Sequence, residues 1–183
     1  MPTTSLAVFC SARDNLAPAF VHAARDIGTR LANRRIGIVY GGGGGGLMGE
    51  LATAALHAGG RVTGVIPRSM VEAEKAHRGV SELIVIDTMH ERKQIMADRA
   101  DAFLALPGGV GTLDEIFEAI TWNQLAIHDK PVGFLDVEGF YTPLRAFLNH
   151  AHAQGFIPEA TMKRLKFESR PEDLLRSVGL PVN

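Results

Sequence analysis

The chain has 183 residues, of which 46% are hydrophobic and 21% charged, and its formal net charge is −1. This length and composition predict one globular domain with a sizeable core, and the near-neutral charge excludes a global attraction to nucleic acid or to an anionic membrane surface. No apolar run approaches the roughly 20 residues of a membrane helix, and no signal peptide is expected. The single cysteine, Cys10, excludes an internal disulfide and favours a reducing compartment, so we expect a cytoplasmic protein.

Apolar runs alternate along the chain with segments of helical periodicity. The apolar runs predict strands at Leu6–Phe9, Ile36–Tyr40, Arg61–Ile66, Glu82–Ile86, Ala102–Leu106 and Val132–Leu135. The periodic segments predict helices at Pro18–Asn33, Leu47–Ala58, His90–Arg99, Thr112–Leu125 and Gly139–Gln154. This alternation predicts an α/β fold, a doubly wound, Rossmann-like parallel sheet with helices on both faces. We expect residues 1–183 to form a single domain, with residues 156–183 as two short helices on the sheet edge.

The first glycine loop, Gly41–Gly46, follows the second predicted strand, at the edge of the sheet where such folds bind ligands. It contains the pattern G-x-G-x-x-G, but the next strand ends without the acidic residue that would bind a ribose, which disfavours NAD. The loop either approaches a phosphate or ribose or is only a structural turn. The possible ligand contacts at this edge are Cys10, Ser11, Gly42, Gly43 and Met48. Without a recognisable activating base nearby, Cys10 is interpreted as a wall residue and not a nucleophile.

The second glycine loop carries the strongest signal of the chain, Pro-Gly-Gly-Val-Gly-Thr-Leu-Asp-Glu over residues 107–115. It joins a predicted strand to a predicted helix, a geometry that presents backbone N–H groups and a positive helix end to a phosphate. No lysine stands directly before Thr112, which disfavours nucleoside triphosphate hydrolysis. Glu115 places a carboxylate on the first helical turn, which indicates chemistry on a nucleotide and not only its binding. The structural alternative is a tight strand–helix turn.

Charged residues near other strand ends are weaker candidates. Arg92 and Lys93 follow the strand that ends at Ile86, where they either contact a phosphate or carboxylate or form a solvated helix face. Glu74 lies in a charged segment that, taken alone, indicates a surface helix. No spacing of histidine, cysteine and acidic residues is typical of a metal site, so no metal is predicted.

Several of these segments together resemble the Lonely-guy family of cytokinin-activating enzymes. The family signature is a PGGxGTxxE loop preceded by M-x-x-R-K, and Leu106–Glu115 and Met89–Lys93 match it. The first glycine loop and its flanks match at Val39–Gly43 and Gly46–Gly49, and a downstream segment matches at 120–122 and 127–133. The resemblance covers most of residues 5–165. The chain departs from the family at Cys10-Ser11-Ala12, where Cys-Gly-Ser is usual, and at Gly44-Gly45, where Ser-Val is common.

The resemblance implies a phosphoribohydrolase that cleaves the N-glycosidic bond of a cytokinin riboside 5′-monophosphate to the free base and ribose 5-phosphate. It implies Arg92 and Glu115 as the catalytic pair and a homodimer with the site near the subunit interface. It also implies substrate contacts from Glu74, Lys93, Gly108, Gly109, Val110, Gly111, Thr112, Leu113, Asp114 and Thr121. No cofactor is expected. Many such sequences carry the label lysine decarboxylase, but no lysine here lies in a recognisable pyridoxal-phosphate setting.

Two other functions remain open at this point. One is a nucleotide-binding or carrier module on the same sheet, without hydrolysis, since fold does not determine function. The other is a general AMP nucleosidase, which the size and polarity of the pocket around the purine N6 would distinguish. Glu115 and Arg92 favour the enzyme over the carrier, because a protein that only binds phosphate needs no carboxylate near the anion.

Overall fold

A computed structural model describes residues 4–73 and 75–180. Its seven strands form one sheet in the order β4-β3-β2-β1-β5-β6-β7, and every described pairing between neighbouring strands is parallel. The strands are β1 Ser5–Phe9, β2 Gly37–Tyr40, β3 Val62–Pro67, β4 Glu82–Ile86, β5 Ala102–Ala105, β6 Val132–Leu135 and β7 Leu165–Glu168. The helices are α1 Pro18–Asn33, α2 Gly46–His57, α3 Met89–Asp98, α4 Val110–Gln124, α5 Thr142–Ala153, α6 Glu159–Arg164 and α7 Pro171–Ser177.

The two faces of the sheet carry separate apolar layers. Alternate residues of β1 divide between them: Leu6 and Val8 pack with α1, α2 and α7, whereas Ala7 and Phe9 pack with α3 and α4. Both faces of the central strands are therefore covered, which explains why these strands are continuous apolar runs in the sequence. Of the helices in residues 4–73 and 75–180, none is long and apolar enough to cross a membrane.

The predicted fold class is confirmed, as are the six predicted strands and the five predicted helices, with boundaries that differ by up to about three residues. The prediction of two short helices for residues 156–183 was wrong in one respect, because β7 lies between α6 and α7. This four-residue strand pairs with β6, and the rings of Phe167 and Phe134 stack with centroids 4.4 Å apart. A strand this short gives no clear periodicity, and its pairing depends on the exposed edge of β6.

The strand order places a crevice between β1 and β5. The chain builds outward from β1 to β4 and then crosses back to begin β5 on the other side of β1. At such a point the two connections leave the carboxyl edge in opposite directions and open a binding site. Hydrogen bonds join the three loops at this edge: the Ser11 N–H donates to the Pro107 carbonyl at 3.3 Å, and the Met48 N–H donates to the Ser11 carbonyl at 3.2 Å.

Candidate active site

A cavity of about 390 Å³ lies at this crevice. Its walls come from the turn after β1, the start of α2, the segment after β3, the start of α3, and the loop that leads into α4. The lining residues are Cys10, Ser11, Ala12, Arg13, Met48, Met70, Met89, Arg92, Gly109, Val110, Gly111, Thr112, Asp114 and Glu115.

The start of α4 offers open backbone N–H groups to this cavity. Gly109 is the N-cap residue, and no side chain caps the helix, so the N–H groups from Gly109 to Thr112 have no partner within the helix. A Cβ on Gly109 or Gly111 would meet nothing within 4 Å, whereas one on Gly108 would lie 2.1 Å from Thr112 Oγ1. Gly108 thus allows the loop to close on itself, while Gly109 and Gly111 leave space for an anion to approach the helix end.

A buried ion pair stands in the cavity wall beside this helix end. Arg92 Nη2 of α3 lies 3.4 Å from Glu115 Oε1 of α4, and the two side chains are only 3% and 6% exposed. A capping box between Thr88 and Glu91 fixes the start of α3 and hence the direction of Arg92. Burying two charges costs solvation free energy, so a buried pair that lines a cavity indicates a functional site.

The remaining N–H groups of Arg92 have weak partners or none. Nη1 lies 3.7 Å from the sulfur of Met89 and 4.0 Å from that of Met70, and thioethers are weak acceptors. Nε is buried and has no hydrogen-bond partner. The guanidinium therefore retains donors for an acceptor that enters the cavity.

Gly41 allows Arg92 to occupy this position. A Cβ at residue 41 would lie 1.9 Å from Arg92 Nη2 and 3.0 Å from its Cζ. The first glycine loop therefore contributes to the site by making room for the guanidinium.

The family resemblance implies that Arg92 is catalytic, so we expect Gly41→Ala to lower kcat for cleavage of the N-glycosidic bond by at least about tenfold. The added methyl group displaces Arg92 from Glu115, and small misplacements of a catalytic group are costly. In an Arg92→Ala background the same substitution has no guanidinium to displace, so we expect it to cause no further loss of kcat. Steady-state kinetics of the two single variants and the double variant measure this coupling. Independent, multiplicative losses would contradict the assignment of Gly41 as a positioning residue for Arg92.

Cys10 lines the cavity as a neutral thiol. Burial raises the pKa of this thiol, and the nearby charge of Glu115 raises it further. The thiol therefore stays protonated at neutral pH, which argues against a nucleophilic role and agrees with its interpretation as a wall residue.

Lys93 lies beside the cavity but is occupied by two carboxylates. Its Nζ is 2.9 Å from Asp114 and 3.2 Å from Glu118, which ties α3 to α4. Burial lowers the pKa of Lys93, but the hydrogen bonds to Asp114 and Glu118 outweigh it, so the pKa is raised overall. These contacts hold together the two helices that carry Arg92 and Glu115.

Other predicted contacts lie away from the cavity lining. A Cβ on Gly42 would lie 3.0 Å from Ile66, and Gly43 pairs with Ala76, so this part of the first loop serves packing. Leu113 faces the apolar layer beneath α4. Thr121 is exposed and donates to the Phe117 carbonyl at 2.8 Å, about 9 Å along the helix from Glu115. Glu74 lies outside the described residues.

The lining also contains four residues that the sequence analysis did not predict as ligand contacts: Ala12, Arg13, Met70 and Met89, of which Met89 belongs to the M-x-x-R-K motif. Arg13 lies in the turn after β1, so its position at a ligand-binding edge was a usable signal. Met70 follows β3 in a short 3-10 turn with no recognisable pattern. In the residues described, no group of three or more histidine, cysteine or acidic side chains is placed to hold a metal ion.

Solved structures share this fold at low sequence identity. The molybdenum cofactor carrier protein from Chlamydomonas reinhardtii superposes with a TM-score of 0.74 at 21% identity, covering 96% of each chain. DNA processing protein A from Helicobacter pylori superposes with a TM-score of 0.59 at 13% identity, covering 96% of this chain and 80% of that chain. At these identities the similarity shows the fold alone.

Sequence comparisons identify much closer relatives. A cytokinin riboside 5′-monophosphate phosphoribohydrolase from Rhodococcoides fascians is 46% identical over 162 residues, which cover 88% of this chain and 82% of the relative. An enzyme of the same name from Arabidopsis thaliana is 42% identical over 173 residues, which cover 94% of this chain and 80% of that enzyme. The family described as "Possible lysine decarboxylase" matches residues 48–178. The chain therefore belongs to this family, whose curated relatives are the Lonely-guy phosphoribohydrolases.

Proposed function

We propose that this protein hydrolyses the N-glycosidic bond of cytokinin riboside 5′-monophosphates, such as isopentenyladenosine monophosphate, to the free base and ribose 5-phosphate. AMP is a second, poorer substrate. The observation that carries this proposal is the buried Arg92–Glu115 pair in a cavity wall beside an uncapped helix N-terminus. The names of the relatives from Rhodococcoides fascians and Arabidopsis thaliana support the same reaction.

The phosphate of the substrate is held at the start of α4 by the N–H groups of Gly109, Gly111 and Thr112. This anchor orients the ribose so that its C1′ approaches Glu115. Cleavage of the bond develops positive charge on the ribosyl group, as in glycoside hydrolysis. The Glu115 carboxylate stabilises that charge and orients the attacking water, and both roles require its ionised form.

Arg92 supports the reaction in two ways. Its charge, 3.4 Å from Glu115, favours the ionised carboxylate within a buried setting. Its unpartnered N–H groups are free to bind an oxygen of the substrate. A guanidinium is protonated at every relevant pH, so Arg92 acts as an electrostatic and hydrogen-bonding group and not as a general acid.

The lining of the cavity argues against a lysine decarboxylase that uses pyridoxal phosphate. Such an enzyme needs a lysine to form a Schiff base with the cofactor. No lysine is among the described residues that line the cavity, and neighbouring Lys93 is held by two carboxylates.

A non-hydrolytic carrier is the second candidate, since the structural neighbours include a molybdenum cofactor binding protein at 22% identity and molybdenum cofactor carrier proteins at 20–21% identity. A carboxylate buried beside an anion site disfavours it, because the negative charge repels the ligand unless it assists a reaction. The test is release of free base from isopentenyladenosine monophosphate and from AMP, measured in parallel.

We expect release from both substrates, with higher kcat/KM for the isopentenyl nucleotide. The three methionines of the lining, Met48, Met70 and Met89, provide an adaptable apolar wall for the N6 substituent. Equal or better use of AMP would indicate a general AMP nucleosidase, and binding without release from either nucleotide would indicate the carrier.

We further propose that the protein is a cytoplasmic homodimer and that residues 1–183 act as one hydrolase domain. Leu125 and Ile127 are each 64% exposed at the end of α4 that carries Thr121, and this apolar surface suits a second copy of the chain. Sedimentation equilibrium is expected to give twice the 19.7 kDa chain mass. A Leu125→Asp variant should shift the mass towards the monomer, and a wild-type chain that sediments as a monomer at high concentration would contradict the dimer.

A further inference from the structure

Among the described charged side chains that line the cavity, one cation forms no ion pair. Four ionisable side chains other than Cys10 contribute to the lining: Arg13, Arg92, Asp114 and Glu115. Arg92 pairs with Glu115, and Asp114 pairs with Lys93 at 2.9 Å. The guanidinium of Arg13 makes no ion pair or hydrogen bond with any residue in the ranges 4–73 and 75–180. Among the described charges that line the cavity, Arg13 is therefore the one that no opposite charge contacts.

The backbone of Arg13 is held in place across the crevice from the start of α4. Its N–H donates to Ser11 Oγ at 3.1 Å, and the Ser11 N–H donates to the Pro107 carbonyl beside the second glycine loop. A Cβ on Gly46 would lie 2.5 Å from the Arg13 carbonyl oxygen, so the turn also packs closely against the start of α2. The exposed side chain thus projects from a fixed turn and lines the same cavity as Gly109–Thr112.

We propose that Arg13 binds the phosphate group of the substrate, opposite the N–H groups of the second glycine loop. This inference rests on the proposed function and assigns a specificity role to a residue outside the Arg92–Glu115 pair. The helix N-terminus offers about half a unit of positive charge to a phosphate that carries close to two negative charges. A guanidinium adds a full charge and two parallel donors that match phosphate oxygens.

We therefore expect the preference for 5′-monophosphates to appear in KM and not in kcat. The phosphate does not change during cleavage, so its contact with Arg13 is equally strong in the ground state and the transition state. We expect Arg13→Gln to raise KM for the nucleotide about tenfold, as for a charged hydrogen bond that is partly exposed. The value of kcat should stay within about twofold, and Arg13→Lys should recover much of the loss.

A matched control removes the same charge elsewhere. Arg35 is an exposed arginine two residues before β2, at the amino edge of the sheet, opposite the cavity. Arg35→Gln is expected to keep the wild-type KM. Thermal unfolding of both variants shows whether either substitution disturbs the fold.

Calorimetric titration provides a readout that does not depend on turnover. Ribose 5-phosphate and adenine are titrated separately into wild type, Arg13→Gln and Arg35→Gln. We expect Arg13→Gln to weaken ribose 5-phosphate binding about tenfold and to leave adenine binding unchanged. Raising the salt concentration should weaken ribose 5-phosphate binding to wild type more than to Arg13→Gln, since salt screens an exposed charge pair.

The outcomes separate this inference from the proposed function. If wild type releases base but Arg13→Gln and Arg35→Gln bind ribose 5-phosphate equally well, Arg13 is not a phosphate ligand and the hydrolase proposal stands. If wild type releases no base but Arg13→Gln still weakens ribose 5-phosphate binding, the hydrolase proposal fails and the assignment of Arg13 holds. If wild type shows no measurable affinity for ribose 5-phosphate, the assignment of Arg13 is overturned.

Discussion

Replacement of Glu115 by glutamine is expected to lower kcat for base release by a factor of ~100 or more, equivalent to about 2.7 kcal/mol of transition-state stabilisation. The substitution preserves the shape of a side chain that is 6% exposed but removes its negative charge. That charge stabilises the ribosyl cation and orients water, so its loss raises the barrier to cleavage. The measurement is single-turnover release of adenine and of isopentenyladenine.

The matched control for this prediction is Glu118→Gln, the same substitution on the same helix. Glu118 pairs with Lys93 and does not line the cavity. Its replacement should leave kcat within about twofold, and both variants should bind ribose 5-phosphate. Wild-type turnover by Glu115→Gln would remove Glu115 from the mechanism.

Replacement of Arg92 by alanine is expected to lower kcat/KM by a factor of ~100 and also to destabilise the protein. Arg92 is 3% exposed, so its loss leaves Glu115 as a buried carboxylate without its guanidinium partner. Breaking a buried pair in this way typically costs about 3–5 kcal/mol of unfolding free energy. Steady-state kinetics and chemical denaturation measure the two effects.

A double variant separates catalysis from stability. Arg92→Ala combined with Glu115→Gln removes both charges, so we expect it to recover part of the lost stability but none of the lost activity. Arg92→Lys keeps the positive charge but loses the planar array of guanidinium N–H donors. We therefore expect its free energy of unfolding to stay closer to the wild-type value than its kcat does. Unchanged kcat/KM in Arg92→Ala would reduce the pair to a structural ion pair.

Much of this site can be predicted from local features of the sequence. The second glycine loop, its flanking strand and helix, and the place of Glu115 on the first helical turn are local features. They follow from apolar periodicity and from the backbone freedom of glycine over fewer than 15 residues. The doubly wound fold was predictable for the same reason, because each strand and helix carries its own pattern.

Local sequence patterns do not determine which residues meet through long-range contacts. Arg92 reaches Glu115 because β5 returns to the centre of the sheet beside β1, which brings α3 and α4 together. Lys93 shares its helix with Arg92 yet is occupied by Asp114 and Glu118. Charge type and spacing are alike for the two residues, so only the packing of α3 against α4 distinguishes them.

The same distinction explains Gly41, Arg13 and β7. The first loop looked like a ligand cradle, but its first glycine makes room for a guanidinium 51 residues further along the chain. Arg13 differs from the other charged residues of the cavity lining because those are held in ion pairs, and β7 forms because β6 offers it a free edge. Side-chain patterns determine which elements form, whereas strand order and close packing decide which residues meet, since those contacts join segments that are far apart in the chain.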